Sequence, residues 1–170
     1  MSLPEIGLGL GANQGDRAAN LRAAKALIGG IPGVTIVAQS RLYDTEPVGV
    51  KPEYRDLQFI NAVLVITSEL PLEILHTRLL AIEEEIGRRR TDDKFAPRPL
   101  DIDILFAGDR VLDTPTLKLP HPQCLKRRFV LAPLAEVRPE LVLPTVRCPV
   151  RELLDNLPEK ETATPLPEAW

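Results

Sequence analysis

Aromatic side chains are scarce in this chain: four phenylalanines, two tyrosines and one tryptophan among 170 residues. A core of this size must then be almost wholly aliphatic, and each ring invites a question about its use. Cysteine is scarcer still. Cys124 and Cys148 stand alone, with neither metal-site spacing nor the number a disulfide framework needs. They read as unremarkable thiols in a reducing compartment. Apolar runs are short, the longest being stretches such as Ala62-Val63-Leu64-Val65-Ile66, against the roughly 20 residues that span a bilayer. The opening Met1-Ser2-Leu3-Pro4-Glu5 has no basic segment followed by an apolar one, so no secretory signal is visible. Basic excess is missing too: a net charge of −3 and a pI near 5.5 argue against nucleic acid or an anionic membrane as partner. No Gly-x-x-x-x-Gly-Lys-Ser/Thr occurs, which excludes a P-loop. The expectation is one domain over 1–170, a cytoplasmic monomer acting on small molecules.

What is present is an ordinary globular balance, 44% hydrophobic and 26% charged, enough to build a full core. Ile6 to Leu10 reads as a first strand. Asp16 is placed to cap a helix whose apolar face is Leu21, Ala24, Leu27 and Ile28. Val34 to Ser40 is a β-branched strand, residues 44–57 a Pro- and Gly-bearing loop, and Phe59 to Ile66 a third strand. Pro71 opens a second helix along Leu75, Leu79, Ile82 and Ile86, with Gly87 suited to its end. Residues 88–99 form a second irregular loop and lead into a fourth strand. The order β-α-β-β-α-β predicts an α+β fold with a ferredoxin-like core, an antiparallel sheet backed by two helices on one face. A hairpin near 111–119, a helical piece from about Arg127 broken at Pro133, and a last turn near 150–154 follow. The tail 162–170, with Pro165 and Pro167, is expected to fray.

The fourth strand carries the chemistry. In Pro97-Arg98-Pro99-Leu100-Asp101-Ile102-Asp103-Ile104-Leu105-Phe106 strict alternation sends Leu100, Ile102, Ile104 and Phe106 to the core and Asp101 and Asp103 to the other face. Their Cα atoms are then about 6.5–7 Å apart. Carboxylates so spaced suit two Mg²⁺ ions about 3.5–4 Å apart, the arrangement that clamps a transferring phosphoryl group. Arg98 is a natural partner for phosphate oxygens. Gly7-x-Gly9-x-x-Ala12 fits the relaxed dinucleotide fingerprint, but no acid follows at the required place and the element order is not doubly wound. Nucleotide binding is left to the acidic pair and the arginines.

Six words in fixed order now add to this. They are Leu8-Gly9-Leu10-Gly11-Ala12-Asn13; Tyr43 to Gly49; Phe59-Ile60-Asn61-Ala62; Glu83 to Arg88; Pro97 to Asp103; and Pro120-His121-Pro122 followed by Arg127 to Leu131. From about Leu8 to Leu143 the chain resembles the 6-hydroxymethyl-7,8-dihydropterin pyrophosphokinases of folate biosynthesis. The resemblance implies transfer of the terminal diphosphate of ATP to the hydroxymethyl oxygen of the reduced pterin, releasing AMP. It implies Arg98, Asp101, Asp103 and Arg127 as the catalytic set, the two aspartates holding Mg²⁺. Around ATP it implies Glu83, Arg88, Arg90, Arg98, Leu117, His121 and Arg127. Around the pterin it implies Thr45, Val48, Phe59, Asn61, Phe95 and Phe129, with Phe59 and Phe129 as the two walls of the ring slot. The chain departs from the pattern at Asn13, where serine is common, at Phe95, where some members carry tryptophan, and over residues 123–126. Two other classes share the ingredients: a nucleotidyltransferase, which would leave AMP on its substrate, and a nucleotide-binding module without turnover.

Overall fold

The computed structural model describes residues 2–46, 58–87, 99–122 and 126–170. Its elements run β1 (Ile6–Ala12), α1 (Arg17–Gly29), β2 (Val34–Gln39), β3 (Tyr43–Thr45), β4 (Phe59–Ser68), α2 (Leu72–Ile86), β5 (Asp101–Ala107), β6 (Leu112–Asp113), β7 (Lys118–Leu119), α3 (Arg128–Val137), α4 (Val150–Asp155) and β8 (Ala163–Pro165). The helix signals act where expected. The Asp16 carboxylate accepts the Ala19 N–H at 3.1 Å, satisfying one of the donors orphaned at a helix start. Gly87 ends α2 at φ +113, a conformation that costs any residue with a Cβ.

The sheet is antiparallel throughout and ordered β5-β1-β4, with β2 and β3 both paired to the far side of β4. They share that edge end to end, β2 along Leu64–Ser68 and β3 along Phe59–Asn61. This is the ferredoxin-like α+β core, extended by β3 and β8. One face, built from Leu8, Leu10, Ile60, Ala62, Leu64, Ile66, Leu100, Ile102 and Ile104, packs on α1 and α2 through Leu21, Ile28, Leu75 and Leu79. The other face is also covered: Val63, Val65 and Leu105 meet Val130, Leu131 and Leu134 of α3 and Val150 of α4. The helices are therefore not confined to one side.

Four further expectations are corrected. Phe106 does not join the first core, because the β1–β5 register slips between Gly7 and Leu8, pairing Gly7 with Phe106 but Leu8 with Ile104. The extra residue, Leu105, bulges and flips the alternation. Leu105 and Phe106 thus both serve the second core, and a Cβ on Gly7 would lie 2.2 Å from the Phe106 ring. Residues 44 and 45 belong to a strand rather than a loop. Pro133 does not interrupt α3; it sits buried inside a ten-residue helix, whose packing on β4 offsets the one hydrogen bond that proline cannot make. The tail does not fray. Residues 163–165 pair with β3, and the Trp170 indole N–H donates to the Ser40 carbonyl at 2.6 Å. The Lys25 ammonium donates to the Trp170 carbonyl and lies 5.0 Å from the indole centroid.

Candidate active site

Asp101 and Asp103 share the α3 face of β5, and the register shows what lies beside them. Asp101 is paired with Gly11 and Asp103 with Gly9 on β1. Gly11 and Gly9 are paired in turn with Asn61 and Val63 on β4. Paired residues point to the same face, so the middle strand presents no side chain between the carboxylates and β4. The opening is used: a Cβ on Gly11 would come within 2.5 Å of Asn61 Oδ1. The Asn61 amide lies over the bare strand and its Nδ2 donates to Thr45 Oγ1 at 2.6 Å. Asn61 and Thr45 are 8% and 1% exposed, and Phe59 stands two pairs along from Asn61, opposite Thr45.

The backbone under the two aspartates is fixed from α2. Glu83, 2% exposed, accepts the Ile102 N–H on Oε2 at 2.7 Å. A charge-assisted bond to a buried carboxylate is about twice as strong as a neutral one. Expected near the nucleoside, Glu83 here acts on the strand that carries the acidic pair. His121 is anchored by its N–H to the Leu105 carbonyl at 2.8 Å, with its Nε2 3.8 Å from Asp103 Oδ1. Burial pushes the imidazole pKa below its ordinary 6.5, and the negative charge of Asp101 opposes that push. Asp103 keeps 43% of its side chain exposed.

The donor set fits a divalent cation of the hard class. Mg²⁺ takes one or two carboxylates and fills its other positions with water and substrate phosphate oxygens. Two aspartates on an open strand face offer that, and among the described residues no group of three His, Cys, Asp or Glu forms an all-protein cage.

Arg127 is the residue before α3, and its Nη1 lies 3.3 Å from Glu161 Oε2. Phe129, on the first turn of α3, is partly buried against the Val63, Val65 and Leu105 cluster, on the sheet face that carries Phe59 and Asn61. The structure thus brings Asp101, Asp103 and His121 together, and gathers Thr45, Phe59 and Asn61 beside them with Phe129 above the same face. Leu117 packs on the first core and closes a turn with Thr114. Val48, Arg88, Arg90, Phe95 and Arg98 lie outside the described residues. Sequence reasoning passed over Gly9 and Gly11 as parts of the site, and over Glu161. The glycine alternation was there to read as a bare strand face; nothing local marked Glu161, which arrives through the fold.

Comparison with known proteins shows the family of the chain. A family model described as 7,8-dihydro-6-hydroxymethylpterin-pyrophosphokinase matches residues 7–139. A curated 2-amino-4-hydroxy-6-hydroxymethyldihydropteridine pyrophosphokinase of Pseudomonas aeruginosa is 38% identical over 164 residues, covering 96% of this chain and 93% of the relative. That of Bacillus subtilis is 42% identical over 131 residues, 76% and 75% of the two chains. In structure the chain is similar to Plasmodium falciparum HPPK-DHPS with pteroate, at a TM-score of 0.68 and 16% identity. The match covers 91% of this chain and 42% of that one, so the likeness concerns the fold of one part of a longer protein. No helix among the described residues is long and apolar enough to cross a membrane.

Proposed function

The chain belongs to the 7,8-dihydro-6-hydroxymethylpterin-pyrophosphokinase family, and we propose that Asp101 and Asp103 are the centre at which it moves a diphosphate from ATP to its pterin. The activity is that of folate biosynthesis, with ATP as co-substrate. The observation that carries the site is the carboxylate pair set opposite Gly9 and Gly11, an acidic face with no side chain crowding it.

In this reading the two aspartates hold two Mg²⁺ ions. Bound there, Mg²⁺ neutralises charge on the polyphosphate and makes the β-phosphorus a better electrophile. The chain's own residues do the rest by positioning and charge, as phosphoryl transfer mainly requires. Arg88, Arg90, Arg98, Arg127 and His121 line the triphosphate. His121, whose pKa burial lowers and Asp101 raises, meets a phosphate oxygen through a ring N–H. Phe59, Phe95 and Phe129 enclose the pterin, and Asn61, Thr45 and Val48 read its edge. Asn61 suits this role because an amide both donates and accepts. The hydroxymethyl oxygen bonds to the β-phosphorus while the bond from that phosphorus to the α–β bridging oxygen breaks. AMP leaves with that electron pair, Arg127 and His121 offset its charge, and the hydroxyl proton passes to water. The enzyme acts as a cytoplasmic monomer, with no nucleic acid or membrane among its partners.

The test is the nucleotide product. Chromatography after incubation with ATP, Mg²⁺ and the reduced hydroxymethylpterin should show AMP and no ADP. ADP, or pyrophosphate with an adenylated pterin, overturns the reading; no turnover makes the chain a binding module.

A further inference from the structure

The C-terminal segment reaches the two halves of this site at once. Glu161, 18% exposed in its side chain, accepts the Arg128 backbone N–H on Oε1 at 3.1 Å and faces Arg127 Nη1 from Oε2 at 3.3 Å. The next residue, Thr162, donates its N–H to Glu46 Oε1 at 3.0 Å. The three after that pair with Tyr43, Asp44 and Thr45. One stretch of chain therefore bonds to the residue assigned to phosphate and to the strand that carries Thr45. The inference rests on the reading above.

We propose that Glu161 is the positioning residue of Arg127, fixing the guanidinium just ahead of α3 so that it meets the ATP phosphates already oriented. A carboxylate that only capped the helix would need one oxygen on the N–H groups. Here the second oxygen faces the guanidinium, and both are held by a tail that is itself tied to β3. Arginine presents five N–H donors in a fixed fork, so a bond at Nη1 restricts the orientations open to the whole plane. Pre-orienting a long side chain lowers the entropy its ligand must otherwise remove.

Glu161→Gln separates the two contacts. The amide keeps an acceptor for the Arg128 N–H and loses the charge on Arg127. With the intact chain, the KM for ATP should rise about fivefold, as for a partly buried charged pair, while the KM for pterin and the melting temperature stay near wild type. In an Arg127→Ala background the same change should have no further effect on the KM for ATP. An unchanged KM for ATP in Glu161→Gln, or an equal rise in both backgrounds, overturns the proposal. If Glu161→Gln does not fold, Glu161→Asp, which keeps the charge one methylene short, is judged by the same cycle. Wild-type protein that makes no AMP would refute the functional reading instead, and direct ATP titration of the same four proteins would still decide the coupling.

Discussion

Replacing Gly11 with alanine places a methyl group where the Asn61 amide now lies. The added carbon would be 2.5 Å from Asn61 Oδ1 and 3.9 Å from the Ile60 carbonyl, so the clash is with the amide alone. Ordinary contact begins near 3.4 Å, and Oδ1 must retreat by about an ångström, well beyond what packed interiors absorb freely. The amide is rigid, so the retreat moves Nδ2 as well and breaks its 2.6 Å bond to Thr45 Oγ1. Both partners are buried, and stranding them costs about 1–3 kcal/mol. Alanine returns about 0.4–1 kcal/mol by stiffening the unfolded chain. The net loss is about 1–2 kcal/mol, a fall of about 3–6 °C in melting temperature for a chain of this size. Pterin affinity should fall with it, measured by calorimetry in the presence of a nonhydrolysable ATP analogue, and affinity for the analogue should not. In an Asn61→Ala background the penalty should vanish, since the clashing atom is gone. A Gly11→Ala protein that melts and binds pterin like wild type would refute the placement of the amide over β1.

Two further outcomes follow from the same contacts. Asp101→Asn and Asp103→Asn should each lower the rate of AMP formation about 10³-fold, several kcal/mol in the transition state, with melting temperatures at or slightly above wild type because two like charges share one strand face. The Glu5 carboxylate is held below its ordinary 4.5 chiefly by hydrogen bonds from Arg138, Nε at 2.9 Å and Nη2 at 2.7 Å. A depressed pKa means stability that is present above the unfolded value and lost as pH falls through the folded one. The gap in urea midpoint between wild type and Glu5→Gln should therefore be constant near neutrality and close below about pH 4.5; a constant gap down to pH 2 would refute the pairing.

The core was legible wherever one period ruled a whole element. Leu100, Ile102 and Ile104 face the core as alternation demanded, and Leu21, Ala24 and Ile28 lie on the buried face of α1. It failed at Phe106 because a bulge inserts one residue without any local mark, and a period-2 reading carries no memory of such a slip. It failed for the tail because little in residues 162–170 favours order by itself. Their structure comes from β3, Ser40 and Lys25, more than a hundred positions away. In the site, the aspartates were visible as residue types at a spacing. What Glu83 does was not, since a carboxylate on a helix announces its charge but not which N–H it will meet.

A sheet is only as well behaved as its outermost strands, whose unpaired backbone groups invite other chains to add to it. Here β5 is the outermost strand on one side, and β8 and β2 lie outermost on the other. Along β5 the Ile102 N–H is taken by Glu83 and the Leu105 carbonyl by the His121 N–H, so the residues that anchor the acidic strand also close the ladder against strangers. At the opposite border β8 is three residues long and ends in Pro165, which has no N–H to offer. Anchoring of the acidic strand and resistance to aggregation thus draw on the same atoms at β5. A variant that frees that backbone should reveal itself first as a protein that sticks to its own copies in concentrated solution.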